Sequence, residues 1–387
     1  MEDVKKFKYF ILAVLLAFGN TDDDSNSNLK VNDYAKRGTT ATFDYNDSAQ
    51  SFLVAHDFAS IDLDESSVGD EWNSGESMTI VLNDQDLNLN TASDESLTVL
   101  GGTLVPSMQI GSPLSAVVDA SGAESVSSFS KIAILAADVA TGASTVTVDT
   151  GYTYADIDAI DTAYTFANFD FRSLGDVGQV LLKSAGTETL ATLPAGTDGQ
   201  GLAAITMNGA ASASDAITAV VSVTANAVAT VDAPFVADVF SFDGATNNAI
   251  YRIELEETDD NTGSFEGSVE YVMLNQLNVD DTAMYLALAT IDQDVDIIVH
   301  EDLTDEDSPR VNYYDLGADG VSTQIADQLE APTHSGVVSL DSDNYKIADT
   351  VVVTLNDQDM NTDSELIDVY VTDSTDNTVG TGTGLIL

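Results

Sequence analysis

Residues 251–273 read YRIELEETDDNTGSFEGSVEYVM and carry the clearest secondary-structure signal in the chain. Apolar and polar side chains alternate on both sides of an Asp/Asn/Gly-rich stretch at 259–263, which predicts two strands joined by a turn. The predicted inward residues are Tyr251, Ile253, Leu255, Phe265, Val269, Tyr271 and Met273, and the predicted outward residues are Arg252, Glu254, Glu256, Ser264, Glu266, Ser268 and Glu270. A hairpin with one buried and one wet face is typical of antiparallel β proteins.

A strand followed by an acidic loop occurs twice. Residues 72–88 read WNSGESMTIVLNDQDLN and residues 345–361 read YKIADTVVVTLNDQDMN, with a constant offset of 273 positions and an identical LNDQD core. The strand residues that share a face are Met78, Ile80 and Leu82 in the first copy and Val351, Val353 and Leu355 in the second. Two copies in one chain favour tandem β-sandwich modules.

The alternating pattern continues from residue 39 onward, so the predicted fold class is all-β. A length of 387 residues suggests two to four domains. We divide the chain into a signal-peptide-like segment and polar lead-in at 1–38, a β-sandwich with the first acidic loop at 39–130, an Ala/Ser/Thr-rich β domain or insertion at 131–235, part of a β-sandwich with the acidic hairpin at 236–330, and a truncated module with the second acidic loop at 331–387.

The charge of the chain is strongly acidic. There are 65 Asp and Glu against 12 Lys and Arg, which gives a formal net charge of −53. Since binding phosphates requires Lys and Arg, we exclude nucleic acid as a partner and expect membrane contact only by proximity or anchoring. Such a surface attracts cations instead. A salt-adapted surface without specific sites is the alternative explanation.

The first residues have the pattern of an export signal. Three lysines before residue 9 precede the apolar run YFILAVLLAFG at 9–19. This run is shorter than the roughly 20 residues that span a bilayer but has the length of a signal-peptide core. We therefore predict an extracellular protein at the cell surface, with a buried N-terminal element as the alternative. The chain contains no cysteine, so any cross-link that stabilises the fold would come from bound metal ions rather than from disulfides.

The acidic loops are the candidate metal sites, because calcium takes six to eight oxygen ligands from carboxylates, amides and carbonyls. The candidates in the first loop are Asp84, Asp86, Asn88, Asn90, Asp94 and Glu95, those in the second loop are Asp357, Asp359, Asn361, Asp363 and Glu365, and those in the hairpin turn are Glu256, Asp259 and Asp260. The predicted ion is Ca²⁺. The alternative is an Asx-rich turn in which Asp and Asn side chains cap their own backbone.

A catalytic site is not predicted. The histidines His56, His300 and His334 are far apart, and no zinc-protease, nucleophile-elbow or phosphate-loop motif occurs in the sequence. Carboxylates are so abundant that a glycosidase-like pair would be a chance match. We predict that the protein is not an enzyme.

Four blocks of the sequence resemble S-layer proteins of ammonia-oxidising archaea. They read DEWNSGESMTIVLNDQDLNLNTASDESL, YRIELEETDDNTGSFEGSVEY, VHEDLTDEDSPRVNYYDLGADG and YKIADTVVVTLNDQDMNTDSELIDVYV. The resemblance covers about residues 40–130 and 236–372, whereas members of that family are much longer. The shorter elements LEETDDNTGSFEG and NDQDMN also resemble modules of other prokaryotic surface proteins.

The resemblance implies Ig-like modules that form a porous two-dimensional lattice outside the membrane. It also implies calcium in loops between strands and domains, and an acidic lattice that attracts ammonium and other cations. The alternative is a secreted multi-domain adhesin or binding protein on the same β-sandwich scaffold. A secreted enzyme is a third and weaker hypothesis, since it needs a converged histidine or carboxylate site.

Overall fold

The structure is a computed structural model of the chain. It describes residues 39–45, 48–54, 57–69, 71–99, 105–119, 122–124, 133–135, 145–170, 172, 177–185, 188–193, 199–207, 209, 211–223, 233–243, 246–317, 321–364 and 366–369. The signal-like segment and lead-in at 1–38 and the candidate ligand Glu365 lie outside the described residues.

The fold class is all-β, which confirms the prediction from the alternating pattern. The strands of the described residues up to position 170 are β1 (Thr39–Tyr45), β2 (Ser48–Val54), β3 (Ser60–Asp64), β4 (Ser77–Asn83), β5 (Ser96–Leu97), β6 (Ser107–Ile110), β7 (Leu114–Asp119), β8 (Gly122–Glu124), β9 (Ala133–Leu135), β10 (Thr145–Thr153) and β11 (Tyr164–Asp170). The next strands are β12 (Val177–Ser184), β13 (Glu188–Leu193), β14 (Gln200–Ala204), β15 (Ala216–Val223), β16 (Ala233–Asp243), β17 (Thr246–Ile253), β18 (Leu255–Glu257) and β19 (Ser264–Met273).

The last strands are β20 (Ile291–Asp292), β21 (Asp294–Val299), β22 (Arg310–Leu316), β23 (Ser322–Gln328), β24 (Val337–Leu340) and β25 (Val353–Asn356). The helices of the described residues are short: α1 (Tyr154–Asp158), α2 (Thr282–Tyr285), and 3₁₀ turns at Glu65–Ser67, Gln85–Leu87, Asp305–Asp307 and Gln358–Met360. Two of these 3₁₀ turns directly follow β4 and β25, so both copies of the repeat form a strand that leads into an acidic loop, as predicted.

Two large sheets form the body. One has the order β3-β4-β19-β18-β5 with β21 on β19, and the other has the order β14-β11-β16-β17-β6-β22-β23 with β7, β9 and β20 on its flanks. A four-stranded sheet β10-β15-β12-β13 holds most of the Ala/Ser/Thr-rich segment, while the hairpins β1–β2 and β24–β25 each stand alone. The domain boundaries drawn from the sequence stay predictions.

The main core lies between the two large sheets. Ile80 and Leu82 of β4 and Phe265 of β19 meet Val311 of β22 there, all fully buried. Strand β16 alternates between this core and a second one, since Phe240 and Phe242 lie in the first and Ala237 and Val239 in the second. Period-two alternation thus fills both faces of this strand with apolar side chains, which indicates a strand covered on both sides.

The predicted hairpin is confirmed in its second half. Strands β18 and β19 pair antiparallel with Glu256 opposite Glu266, and β19 buries its predicted inward residues. For the first half, the prediction of a single strand with one exposed face is wrong. Residues up to Ile253 belong to the other large sheet, and the predicted outward residues Arg252 and Glu254 are buried.

The reason is that charged partners cover this face, one from the adjacent strand β16 and one from the segment after β11. Arg252 Nε and Nη2 donate to the two carboxylate oxygens of Asp238 at 3.0 and 2.9 Å. Arg172 Nη2 donates to Glu254 Oε1 at 2.5 Å. A buried charge is tolerated where it is paired and hydrogen-bonded, so polar residues here do not indicate solvent.

Candidate cation site

The first acidic loop is anchored by Asp84, which follows the buried strand β4 and is only 4% exposed. Its Oδ1 accepts the backbone N–H of Asp86 at 3.0 Å, and its Oδ2 accepts the hydroxyl of Tyr313 at 3.0 Å. Its own N–H donates to Gly263 O at 2.8 Å. Asp84 therefore caps the 3₁₀ turn as in the Asx-turn alternative and also joins β4 to the hairpin turn and to β22.

The environment of Asp84 disfavours its charge. Burial raises the pKa of Asp84 to about 6, the two hydrogen bonds oppose this rise, and the nearby carboxylates of Asp315 and Asp86 add to it. Asp315 is itself tied into this corner, because its Oδ2 accepts the N–H of Ala59 at 3.1 Å. Three acidic residues from two segments, the loop after β4 and strand β22, thus lie close together at the end of β4.

A second group of acidic residues lies where the loop after β4 meets the β18–β19 hairpin. Glu257 is 4% exposed, and its Oε1 accepts the N–H groups of Gly263 and Thr262 at 2.7 and 2.9 Å. Its Oε2 accepts the N–H of Glu95 at 3.3 Å, and its own N–H donates to Glu95 O at 2.8 Å. Glu257 thereby brings the end of the predicted first loop onto the hairpin turn.

The Glu95 and Glu257 carboxyl groups interact directly. Burial raises the pKa of Glu95, and the hydrogen bond and charge of the neighbouring Glu257 raise it further. Burial alone would also raise the pKa of Glu257, but N–H donors from Gly263, Glu95 and Thr262 outweigh it and lower that pKa. Of the two carboxyl groups, Glu257 is therefore the one whose ionised form its surroundings favour, and Glu95 is the one whose ionised form they disfavour.

Two buried oxygen atoms of the first acidic loop, one of them on Glu95 itself, have no hydrogen-bond partner. Glu95 Oε2 and Asn88 Oδ1 are both buried and both unpaired. The amide nitrogen of Asn88 donates to Asn261 Oδ1 at 2.9 Å, so the side chain is held in place by the hairpin turn. A buried acceptor without a donor costs free energy, and a bound ion or an ordered water would relieve it.

The other predicted residues of the first loop and hairpin do not face this pair. Asp86 Oδ2 accepts the N–H of Asp57 at 3.2 Å, and Asn90 bonds to Ala92 and Ser93 within its own turn. Asp94, Glu256, Asp259 and Asp260 are exposed. Glu256 points away because it alternates with the buried Leu255 and Glu257 along β18.

The second acidic loop is built differently. Asp359 is buried, and its two oxygens accept the N–H of His334 at 3.0 and 2.9 Å. Asp357 makes no capping hydrogen bond, and its Oδ1 is buried without a partner. Asn361 Nδ2 donates to Ser74 O at 2.9 Å. This loop docks onto the start of the first repeat.

Asp363 is the last described candidate of the second loop. It faces Asp296, whose pKa is raised by burial and then by the charges of neighbouring carboxylates that include Asp363. The structure therefore does not gather the second set of candidates around one point. It joins them instead to two different parts of the body.

Comparisons with known proteins do not assign the chain. No protein-family model and no curated protein matches it.

Within the described residues, no set of three or more His, Asp and Glu side chains is close enough to hold a metal ion. No helix of the described part has the length and apolar character needed to cross a bilayer.

The sequence reasoning left Glu257 out of the ligand set, although a signal for it was present. Leu255 was predicted inward and Glu256 outward, so the same alternation places Glu257 inward. Tyr313 and Asp315 were also missed. They lie on β22, more than 220 positions from Asp84, and no local sequence pattern predicts that β22 contacts the first acidic loop.

Proposed function

We propose that the protein is a structural cell-surface protein that binds calcium and self-associates into an acidic, porous lattice. The observation that carries the calcium proposal is the contact between half-buried Glu95 and buried Glu257, together with the buried, unpaired oxygens Glu95 Oε2 and Asn88 Oδ1 of the same loop. A bound cation would stabilise a carboxyl group with a raised pKa and would also satisfy a buried oxygen that lacks a donor.

The donor set suits a hard cation. It consists of two carboxylates and one amide, all oxygen donors, and the chain has no cysteine. Calcium takes such ligands in flexible loops and completes its shell with carbonyls and waters, whereas zinc prefers nitrogen and sulfur. Glu95, Glu257 and Asn88 would hold the ion, and the ion would supply the positive charge that this corner lacks.

Such an ion would act as a staple. Glu95 and Glu257 are separated by 162 positions. Glu257 is the last residue of β18, and Glu95 immediately precedes β5, which pairs with β18 through Leu97 and Leu255. In a chain without disulfides, a metal that binds only the folded state adds its binding free energy to folding. An exported β protein would gain stability where calcium is plentiful.

The lattice and cation-attracting parts of the proposal rest on charge and on the resemblance to S-layer proteins. Copies that each carry −53 repel one another unless cations screen or bind them. Calcium would therefore favour both folding and assembly. A negatively charged pore would also raise the local concentration of ammonium and other cations.

The test is to strip the protein with a chelator and add calcium back while recording the melting temperature and negative-stain images. Bound calcium at about 100 times its Kd stabilises a folded protein by about 2.7 kcal/mol. Wild-type protein and the exposed control Glu256→Gln should melt higher with calcium, and Glu95→Gln should not. Ordered sheets should appear with calcium.

If calcium leaves wild-type melting unchanged, or stabilises Glu95→Gln equally, the calcium site is refuted. If the melting temperature rises but the protein stays monomeric under all conditions, the lattice proposal fails. The adhesin alternative would then be favoured.

A further inference from the structure

A cavity of about 530 Å³ lies at one edge of the large sheet that contains β17. The antiparallel order β17-β6-β22 brings the start of β17, the end of β6 and the start of β22 to this edge. The segment after β21 and the 3₁₀ turn Asp305–Asp307 complete the wall. The volume falls within the roughly 300–1,000 Å³ of small-molecule sites, and the cavity shares no residue with the candidate cation site.

Two side chains of this cavity have buried polar atoms without a hydrogen-bond partner in the described part of the chain. These atoms are both ring nitrogens of His300 and Oδ1 of Asn247. Asn247 Nδ2 donates to Ile298 O at 3.0 Å, so the unpaired oxygen is fixed as an acceptor. Such atoms cost free energy, and an occupant that supplies hydrogen bonds would recover it. The imidazole can turn toward an occupant, because the χ2 torsion of histidine is broad.

The mouth of the cavity carries charged side chains of both signs, all of them exposed. The carboxylates of Glu301, Glu306 and Asp307 are hydrogen-bond acceptors. Arg310 supplies donors, and its guanidinium forms no ion pair within the described residues. A well-matched occupant therefore both donates and accepts hydrogen bonds.

This combination disfavours several classes of ligand. Three carboxylates at the mouth would repel phosphate and other anions. A cation would meet the positive charge of Arg310 and could accept no hydrogen bond from it. An apolar ligand would leave the polar atoms of His300 and Asn247 unpaired. Hydroxyl groups meet the requirement, because they donate one hydrogen bond and accept others without carrying charge.

We propose that this cavity binds a neutral saccharide. Ring hydroxyls would accept hydrogen bonds from Arg310 and His300, and would donate to Asn247 Oδ1 and to the carboxylates at the mouth. The exposed mouth leaves room for the sugar to continue into a glycan chain. This recognition function requires neither bound calcium nor self-association.

NMR of the histidine rings tests the proposal on the wild-type chain. The probes are glucose, galactose, mannose, N-acetylglucosamine and their methyl glycosides, each at millimolar concentration with a chelator present. We expect at least one sugar to shift the His300 signal in a saturable way. His334 is the internal control, because its Nδ1 lies 3.2 Å from Asp359 Oδ1 and it does not line the cavity. No shift with any probe, or equal shifts of both histidines, would overturn the proposal.

The same probes separate two sources of the sugar. Binding of the methyl glycosides supports the end of a glycan chain as the ligand, because a methyl glycoside has its anomeric position linked as in a chain. Binding of the free sugars alone supports a free saccharide.

His300→Phe distinguishes a binding role from a structural one. Because both ring nitrogens are unpaired, an aromatic ring without them should leave the melting temperature unchanged or raise it. The variant should bind the sugar about tenfold more weakly in saturation-transfer NMR, as expected for a lost hydrogen bond. A His300→Phe protein that binds as tightly as wild type would contradict the proposed site.

Arg310→Gln supplies a second variant with a matched control. It should weaken sugar binding about tenfold, because it removes the charged donor at the mouth. Lys346→Gln removes the same charge from an exposed position outside the cavity and should change the affinity less than about twofold. Equal effects of the two substitutions would show a general charge effect and refute the assigned contact.

The charge of the probe tests the ligand class. A uronate carries a carboxylate in place of the hydroxymethyl group and should bind about tenfold more weakly than the parent sugar, because the carboxylates at the mouth repel it. Equal or tighter binding of the uronate would refute a neutral ligand. Sugar binding that needs calcium and persists in His300→Phe would place the sugar on an ion elsewhere and refute this cavity. None of these results depends on the calcium-induced rise in melting temperature that tests the proposed function.

Discussion

Replacing Asp84 with asparagine should stabilise the chelator-treated protein at neutral pH. The aspartate is almost fully buried, and its carboxylate faces those of Asp86 and Asp315. Asparagine has nearly the same shape, can still accept the N–H of Asp86, and can donate to the hydroxyl oxygen of Tyr313. The variant thus keeps the local hydrogen bonds and removes only the buried charge.

The magnitude follows from the pKa of Asp84. Burial raises this pKa from the ordinary 3.8 to about 6. Because a tenfold change in a protonation equilibrium corresponds to about 1.4 kcal/mol, ionising Asp84 costs the folded state at most about 3 kcal/mol at pH 7. The folded pKa lies above the unfolded one, so this stability is fully present below about pH 3.8 and is lost as the pH rises through about 6.

The assay is urea denaturation with a chelator between pH 4 and pH 8, with the exposed Asp94→Asn as the control. The free-energy difference between Asp84→Asn and wild type should be small at pH 4 and grow to between 1 and 3 kcal/mol at pH 7. A variant that is less stable than wild type at pH 7 would refute the reasoning. So would a difference that is the same at every pH.

Two further predictions concern buried contacts. Arg252→Met leaves Asp238 as an unpaired buried charge and should lower the free energy of unfolding by about 3–5 kcal/mol, measured by urea denaturation; a loss below about 1 kcal/mol would contradict it. Gly75→Ala should loosen the docked second loop and speed its cleavage in limited proteolysis, since the added Cβ would lie 2.6 Å from Asn361 Nδ2. The control Gly69→Ala also has positive φ but no atom within 4 Å, so equal cleavage of both variants would argue against this docking.

The sequence predicts best where a strand has one buried and one exposed face. Strand β19 meets this condition, and the alternation assigned its inward residues correctly. Strand β17 has no exposed face of this kind. Arg252 lies on the face that the pattern predicts to be exposed, but it donates to Asp238 of β16 and is buried. A one-dimensional pattern records polarity but does not record that the neighbouring strand supplies a charged partner.

The candidate site shows the same limit. The spacing of acidic residues located Asn88 and Glu95, but the pairing of Glu95 with Glu257 depends on the register between β5 and β18. The identical LNDQD segments make the point most clearly. Asp84 caps its turn and binds Tyr313, whereas its counterpart Asp357 makes no capping bond, because the two loops meet different neighbours.

The core also joins parts of the chain that are far apart in sequence. Leu63 N donates to Asp327 Oδ2 across 264 positions, and Met108 of β6 pairs with Val311 of β22. A protein dominated by such non-local pairings folds slowly, because the entropy cost of closing long loops comes before the stabilising contacts form. During this time the edges of β3 and β6 stay open to other chains. Electrostatic repulsion between partly folded chains, each with 65 acidic residues, would limit their association until the last strands have paired.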